Sequence, residues 1–189
     1  MIQPDRLTVK AAEALQQAAA LARAKGNPVV NDAHLFSALL QQDEGIVVPL
    51  LQKTGLNVAQ LQAETEREIE RFPKQSGGAD PTLSRELSRV LDRADEAAKA
   101  LGDAYVSTEH LLLTLAEEKN TTARQLLSAN GVTRKELLAA LEGVRGAHRV
   151  TDQEPESKYQ ALQRFTRDLT EIARKGKLDP VIGRDDEIR

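Results

Sequence analysis

The sequence contains three histidines, the side chains best suited to metal binding or proton transfer, and two of them recur at a fixed spacing. His34 follows residues 31–33 and His110 follows residues 107–109, so they stand 110 − 34 = 76 positions apart. Each lies at the start of a predicted helix, beside polar residues of the type that cap helices. Because no third ligand accompanies either one, the matched positions favour a packing or capping role over a metal site. His148 lies alone in a polar stretch and is predicted to face solvent.

Carboxylates are numerous, but none of them forms a recognisable acid–base pair. The acidic run from residue 64 to residue 70 is interleaved with Arg67 and continues to Arg71, a pattern typical of a solvated helix face. The sequence contains no G-x-S-x-G, H-E-x-x-H or G-x-x-x-x-G-K-[ST] motif, and it contains no cysteine. We therefore predict that this chain is not an enzyme by itself and that it holds no metal and no cofactor.

Composition limits the class of protein further. Of the 189 residues, 40% are hydrophobic and only 3% aromatic, which favours helices rich in alanine and leucine over an all-β core. Lys+Arg 26 against Asp+Glu 29 gives a net charge of −3, so no overall basic field attracts nucleic acid. The first residues lack the pattern of a signal peptide, and no apolar run is long enough to span a membrane. The sequence predicts a cytoplasmic protein without nucleic-acid or membrane partners.

The chain carries an internal duplication. Sliding it against itself by 76 positions, without gaps, aligns residues of the same type, for example Leu15 with Leu91. A self-similarity of this kind indicates a repeated structural unit. The sequence predicts an all-α domain at residues 1–147, built from two four-helix repeats (eight helices) related by a pseudo-two-fold, at about 6–72 and 82–147.

Turn and capping residues that occur in both repeats mark the helix boundaries. The first helices are predicted at about 6–25 and 83–101, and each ends at a glycine, Gly26 or Gly102. The second helices begin after polar residues that can cap them. The last helix of repeat two is predicted to begin with a capping box, in which Thr133 and Glu136 satisfy each other's backbone donors.

Polar, proline-containing stretches separate these units. Residues 73–81 are predicted to be a flexible connector between the repeats. Residues 148–157 are predicted to be a flexible linker, because this stretch has nothing to bury. Residues 158–174 resume helical periodicity, so a linker helix is predicted to open a second, truncated module at 158–189.

The seam between two similar units is a natural place for a binding groove, so we predict binding rather than catalysis there. The loops before the second helices carry small and apolar residues that could face this groove. For Val30 and Val106 we favour the interpretation that they plug the cores of the repeats. Tyr105 is predicted at a rim, because a tyrosine can present an apolar ring and a hydroxyl together.

Several runs of residues in this sequence resemble those of a known protein family. The run FTRDLT at 165–170 and the run GKLDPVIGR at 176–184 closely resemble the lead-in to the first ATPase module of Clp/heat-shock AAA+ unfoldases. The duplicated region resembles the Clp amino-terminal repeat domain, including the opening at residues 6–8 and the run STEHL at 107–111. The resemblance covers essentially the whole chain and is closest to the ClpB-type protein disaggregases.

The resemblance implies that the chain is the amino-terminal part of a longer, cytosolic, homohexameric ATPase. That longer protein would use ATP with magnesium and would cooperate with a DnaK-type chaperone. Its amino-terminal domain would bind unfolded or aggregated polypeptides at a hydrophobic groove, and the present chain would be a monomer. Residues on the adenine side of the first nucleotide pocket of the longer protein would be Pro180, Val181, Ile182 and Gly183.

The resemblance also implies site residues within the repeats. Surface positions implicated in substrate binding fall on Thr8, Asp103 and Glu109, and the groove would include Leu91 and the neighbourhood of His110. With Tyr105 at the rim, these six residues form the predicted substrate-binding site. Two other functions stay open: docking of a folded adaptor protein, as in the protease-linked Clp relatives, and a regulatory or spacer role without substrate binding.

Overall fold

The two halves of the chain contain the same four helices in the same order. The computed structural model describes residues 2–146 and 148–156. Repeat one contains α1 (Val9–Ala24), α2 (Asp32–Gln41), α3 (Val47–Lys53) and α4 (Val58–Glu70). Repeat two contains α5 (Arg85–Ala100), α6 (Thr108–Glu117), α7 (Thr122–Ala129) and α8 (Arg134–Arg145). The predicted all-α class with eight helices is confirmed for the described residues, and the predicted helix at 158–174 lies outside them.

The glycines that end α1 and α5 lie where the sequence predicts them. Gly26 has a φ of 70° and Gly102 a φ of 75°, in the left-handed region that glycine adopts without strain. The predicted capping box of α8 is also present, since the backbone N–H of Thr133 donates to Glu136 Oε2 at 2.8 Å. Local turn chemistry therefore sets these helix boundaries.

The first helix of each repeat begins a few residues later than predicted, because the residues before it are extended and pair with the opposite repeat. Leu7 forms a parallel bridge with Val106. In the equivalent place, β1 (Val29–Val30) pairs in parallel with β2 (Thr82–Leu83), the second residue of one opposite the second residue of the other. Each repeat is thus hydrogen-bonded to the lead-in of the other, which ties the two repeats together.

Helices α2 and α6 lie at the centre of a core that both repeats share. Every residue of α2 except Gln41, and every residue of α6 except Glu117, is buried. Helices that are apolar on most sides are expected in such a position. Val30 and Val106 are 2% and 0% exposed, which confirms the interpretation that they fill the core.

Residues 148–156 run back across repeat two, although the sequence predicts a flexible linker with nothing to bury. Val150 and Glu156 are both 0% exposed. The N–H of Ala104 donates to the carbonyl oxygen of Val150 at 2.8 Å. The prediction is wrong for these two side chains, because repeat two offers backbone and side-chain donors that composition alone does not reveal. By contrast, the connector at residues 73–81 is exposed along almost all of its length.

Candidate functional site

A buried charged network in repeat two brings together several of the predicted site residues. Asp103, Glu109, His110 and Arg145 are each no more than 5% exposed. Arg145 donates to Asp103 through Nη2 and to Glu109 through Nη1, the latter over 3.4 Å. His110 Nε2 lies 2.7 Å from Asp103 Oδ2. Two carboxylates, a guanidinium and an imidazole therefore satisfy one another in the interior, which is what makes their burial tolerable.

Helix α6 positions this network, because the side chains at its start hydrogen-bond to one another and to the backbone there. The N–H of Ser107 donates to His110 Nδ1 at 2.8 Å, which forms a capping box. The hydroxyl of Ser107 donates to Glu109 Oε1 at 2.6 Å. Because Nδ1 accepts a hydrogen bond, the nitrogen that bears a proton toward Asp103 is Nε2. Its N–H donates a hydrogen bond to the Asp103 carboxylate. The predicted capping role of His110 is confirmed.

Asp103 is held in its charged form in spite of its burial. Burial alone would raise the pKa of this carboxyl group, but hydrogen bonds from His110, Arg145 and the N–H of Val150 lower the pKa to about 2. A lowered pKa in the folded state stabilises the fold above the ordinary value of 3.8, and this contribution is lost as the pH falls toward 2. At neutral pH, Asp103 is therefore a stabilising anion.

The equivalent place in repeat one holds a neutral network. His34 Nδ1 accepts from the N–H of Asn31 at 2.8 Å, and Nε2 lies 2.8 Å from Asn27 Oδ1. Burial lowers the pKa of His34 to about 4. The ring also packs edge-on against Phe72, with the ring centroids 5.5 Å apart. His34 therefore has the predicted capping and packing role too.

A further buried carboxylate, that of Glu156, joins the network region to the segment that follows α8. Glu156 Oε2 accepts from the hydroxyl of Thr8 at 2.8 Å and from the N–H of Thr108 at 3.2 Å. Thr8 caps α1 and Thr108 is the first residue of α6, so the carboxylate lies at two helix N-termini, where a negative charge is favoured. Thr8 is thus a structural link between α1, α6 and the end of the described chain.

These contacts give most of the predicted substrate-binding residues a structural role. Thr8, Asp103, Glu109 and His110 are between 0% and 5% exposed, and Leu91 is a core residue at 3%. Direct contact with a substrate at the surface is not available to these five side chains in this structure. Tyr105, the sixth, is partly exposed, which agrees with a place at a rim. Arg145 is a member of the network that the sequence analysis missed.

Two surface clefts of the described residues lie within the repeats. Cleft one, of about 670 Å³, lies between α1, α2 and α4. Its lining includes apolar Leu21, Ala63 and Ile69 together with Lys25 and Glu66. Cleft two, of about 230 Å³, lies in the equivalent region of repeat two, with Ala97 and Leu113 in its lining. Cleft one has the size and the mixed lining of a ligand site.

Asp32 offers a test of the electrostatics of the shared core. Its carboxylate is 1% exposed and accepts from the N–H of Ala123, at the start of α7, over 3.0 Å. Burial raises the pKa of Asp32 to about 6, above the ordinary 3.8. The fold is therefore more stable when this carboxyl group is protonated. That contribution is present below pH 3.8 and is lost as the pH rises through 6.

We therefore expect Asp32→Asn to raise the free energy of unfolding at pH 7 by about 1–3 kcal/mol, because the amide oxygen keeps the hydrogen bond without the buried charge. Urea unfolding of both proteins at pH 7 and pH 4 measures the difference. The gain should shrink toward zero at pH 4, where the wild-type carboxyl group is protonated when folded. A lower stability of the variant at pH 7 would contradict the assignment.

Residues 2–146 and 148–156 also bear on the predictions about membranes, metals and cofactors. Within this part of the chain, no helix is both long enough and apolar enough to cross a membrane. The same residues contain no group of three or more histidine, aspartate or glutamate side chains placed to hold a metal ion. The predicted adenine-side residues Pro180, Val181, Ile182 and Gly183 lie outside the described residues.

The duplicated helical fold is that of a Clp-type repeat domain. The chain belongs to the Clp repeat (R) N-terminal domain family, whose pattern matches residues 6–130. It is 46% identical over 187 residues to the chaperone protein ClpB 1 of Synechococcus elongatus, a match that covers 98% of this chain and 21% of that protein. The chain thus spans about a fifth of the length of the curated relatives it matches.

Solved structures share the fold. The Hsp104 N-terminal domain of Candida albicans superposes with a TM-score of 0.72 at 19% sequence identity, covering 80% of this chain and 99% of that chain. A ClpV N-domain in complex with a VipB peptide has a TM-score of 0.60 at 22% identity, covering 73% of this chain and 86% of that chain. At these identities the likeness concerns the fold.

Proposed function

We propose that this chain is the amino-terminal, substrate-recruiting domain of a ClpB-type protein disaggregase. It binds unfolded or aggregated polypeptides and passes them to a hexameric ATPase motor, which uses ATP with magnesium and works with a DnaK-type chaperone. The chain belongs to the Clp family, and its sequence is similar to that of a ClpB chaperone about five times longer. Both findings support this role. The motor chemistry then belongs to the longer protein, in which residues 180–183 contribute to the adenine side of the first nucleotide pocket.

The observation that carries the binding role is cleft one, which combines an apolar floor with a charged rim. Leu21 and Ala63 supply apolar surface, whereas Lys25, Arg67 and Glu70 place charges of both signs at the edge. Burying apolar side chains is favourable at about 25 cal/mol per Å² and makes little demand on sequence. A rim with both charges does not select strongly against acidic or basic segments. A ClpV N-domain of the same fold binds a peptide, which supports peptide binding in this fold.

A charge placed in cleft one tests this role. Ala63 is exposed and lines cleft one, so Ala63→Glu is expected to leave the fold intact and to weaken the binding of fluorescently labelled casein, an unfolded protein, at least fivefold. Fluorescence anisotropy measures the affinity. The matched control is Ala139→Glu, which adds the same charge at the equivalent exposed position of α8 and should change affinity less than twofold.

The two variants also separate the proposed function from its alternatives. Equal weakening by both would place the binding surface outside cleft one. Wild-type protein that does not bind casein but binds a folded adaptor would favour the adaptor-docking function instead. Wild-type protein that binds neither would favour the regulatory or spacer role.

A further inference from the structure

Residues 148–156, here called the strap, are attached to repeat two at a few points. The carbonyl oxygen of Val150 accepts from the N–H of Ala104 at 2.8 Å, and the N–H of Val150 donates to Asp103 Oδ1 at 2.9 Å. The strap residues between the attachment points and beside them are largely exposed, including Arg149, Thr151, Gln153 and Glu154. The hydrogen bonds that hold the strap at Asp103, Thr8 and Thr108 are buried but few, so its release requires only a small set of contacts to open together.

Glu156 closes the far end of the strap, and its carboxylate is only partly satisfied. Oε2 holds the contacts to Thr8 and Thr108, whereas the buried Oε1 has no hydrogen-bond partner among the described residues. Burial raises the pKa of Glu156 above its ordinary value. The desolvation of this carboxylate therefore offsets part of what its hydrogen bonds contribute. Next to it, the N–H of Val9 donates to the carbonyl oxygen of Gln153 at 2.8 Å.

Repeat one differs from repeat two at the equivalent positions. At the position equivalent to Thr108 it has Asp32, a buried carboxylate that belongs to α2 itself. At the position equivalent to Glu156 it has Asp80, which is exposed and pairs with Arg23 at 3.2 Å. In repeat two, the carboxylate that accepts from the first residue of α6 comes instead from the strap.

We propose that the strap is a releasable element, with Glu156 as its latch, and that Thr8, Thr108 and Asp103 hold it against repeat two. In the docked state residues 148–156 lie against repeat two. In the released state these nine residues no longer contact it. Thr8 and Asp103 then influence the domain by holding the strap, without touching a substrate.

Release would change the reach of the domain. A flexible segment of nine residues has an r.m.s. span of about 17 Å, and the mean-square spans of joined flexible segments add. If the chain is joined to a motor, as the proposed function has it, this length changes the effective concentration of bound polypeptide near that motor. The strap itself is a property of this chain and is testable without the motor.

Hydrogen exchange of the 189-residue chain tests the latch. Glu156→Ala removes the acceptor of Thr8 and Thr108, so the amide hydrogens of Ala104 and Val9 should exchange at least tenfold faster than in the wild type. Glu154→Ala removes the same charge from an exposed position of the strap and should leave both rates within twofold. The Ser84 amide, which donates to Val30 at 2.9 Å in repeat one, is the internal reference.

Two outcomes of this experiment would overturn the proposal. Unchanged exchange at Ala104 and Val9 in Glu156→Ala would mean that Glu156 does not hold the strap. Equal acceleration at Ser84 would mean that the strap opens only when the whole domain unfolds.

A cross-link tests release in the opposite direction. The chain has no cysteine, and the backbones at positions 9 and 153 are hydrogen-bonded, so Val9→Cys with Gln153→Cys is designed to lock the strap when oxidised. The oxidised form should exchange the Ala104 amide at least tenfold more slowly than the reduced form. Equal rates in the verified oxidised and reduced forms would contradict spontaneous release.

Casein binding separates this proposal from the proposed function. Cleft one lies in repeat one, so the latch variant should bind casein with the affinity of the wild type. Absence of casein binding in every variant would overturn the proposed function and leave the exchange result as the test of the strap. A latch variant that exchanges faster and also loses casein binding would contradict the separation of strap and cleft.

Discussion

Replacing Asp103 with alanine is expected to lower the free energy of unfolding by about 3–5 kcal/mol, the cost of leaving a buried ion without its partner. Arg145 is 4% exposed and would lose its ion pair with Asp103, keeping Glu109 at 3.4 Å and the carbonyl oxygen of His148 at 2.7 Å. His110 and the N–H of Val150 would lose their acceptor as well. Urea unfolding at pH 7, followed by circular dichroism, measures the loss.

The equivalent position in repeat one supplies the matched control. Asn27→Ala removes a neutral partner of His34 and should cost about 1–2 kcal/mol. A triple variant, Asp103→Asn with Glu109→Ala and Arg145→Ile, gives repeat two the residues that repeat one has at positions 27, 33 and 69. We expect it to recover at least half of the loss, because no charge is then left unpaired. Equal costs for Asp103→Ala and Asn27→Ala would contradict the account of the network.

Replacing Leu91 with alanine is expected to lower the free energy of unfolding by about 2–5 kcal/mol, the usual range for a buried leucine. Leu91 is 3% exposed and belongs to the core cluster. The loss combines the transfer of fewer apolar atoms from water with the cavity that remains. Urea unfolding of the variant and of the wild type measures it.

Leu15, at the equivalent position of α1, is the control, because it is only partly buried. Leu15→Ala should therefore cost about 1 kcal/mol. A groove-lining Leu91 would behave differently: alanine would weaken casein binding and leave stability nearly unchanged. That result would restore Leu91 to the binding site that the family resemblance implies.

Local chemistry made much of this fold predictable. Gly26 and Gly102 end helices because they can adopt a positive φ, and this property is visible in the sequence. The capping role of His34 and His110 followed from their matched positions three residues after the caps. Such features depend on neighbours within a few residues, so the pattern alone identifies them.

Features that depend on distant residues were not predicted. The partner of Asp103 is Arg145, 42 positions further along, and the partners of Glu156 are more than 45 positions away. One signal was present in the sequence, because the duplication aligns Asp103, Glu109 and Arg145 with three uncharged residues. A coordinated change from neutral to charged residues across a repeat is what a buried ion network requires. Cleft one was missed because its shape arises from the packing of three helices.

The most direct test of the account is a map of the surface that an unfolded polypeptide contacts. Titrating the isotope-labelled chain with casein and following backbone amide signals by NMR locates that surface. We expect signals of α1 and α4 around cleft one, such as Leu21, Ala63 and Arg67, to shift or broaden. Changes confined to Asp103, Tyr105 and Glu109, with cleft one unaffected, would contradict it.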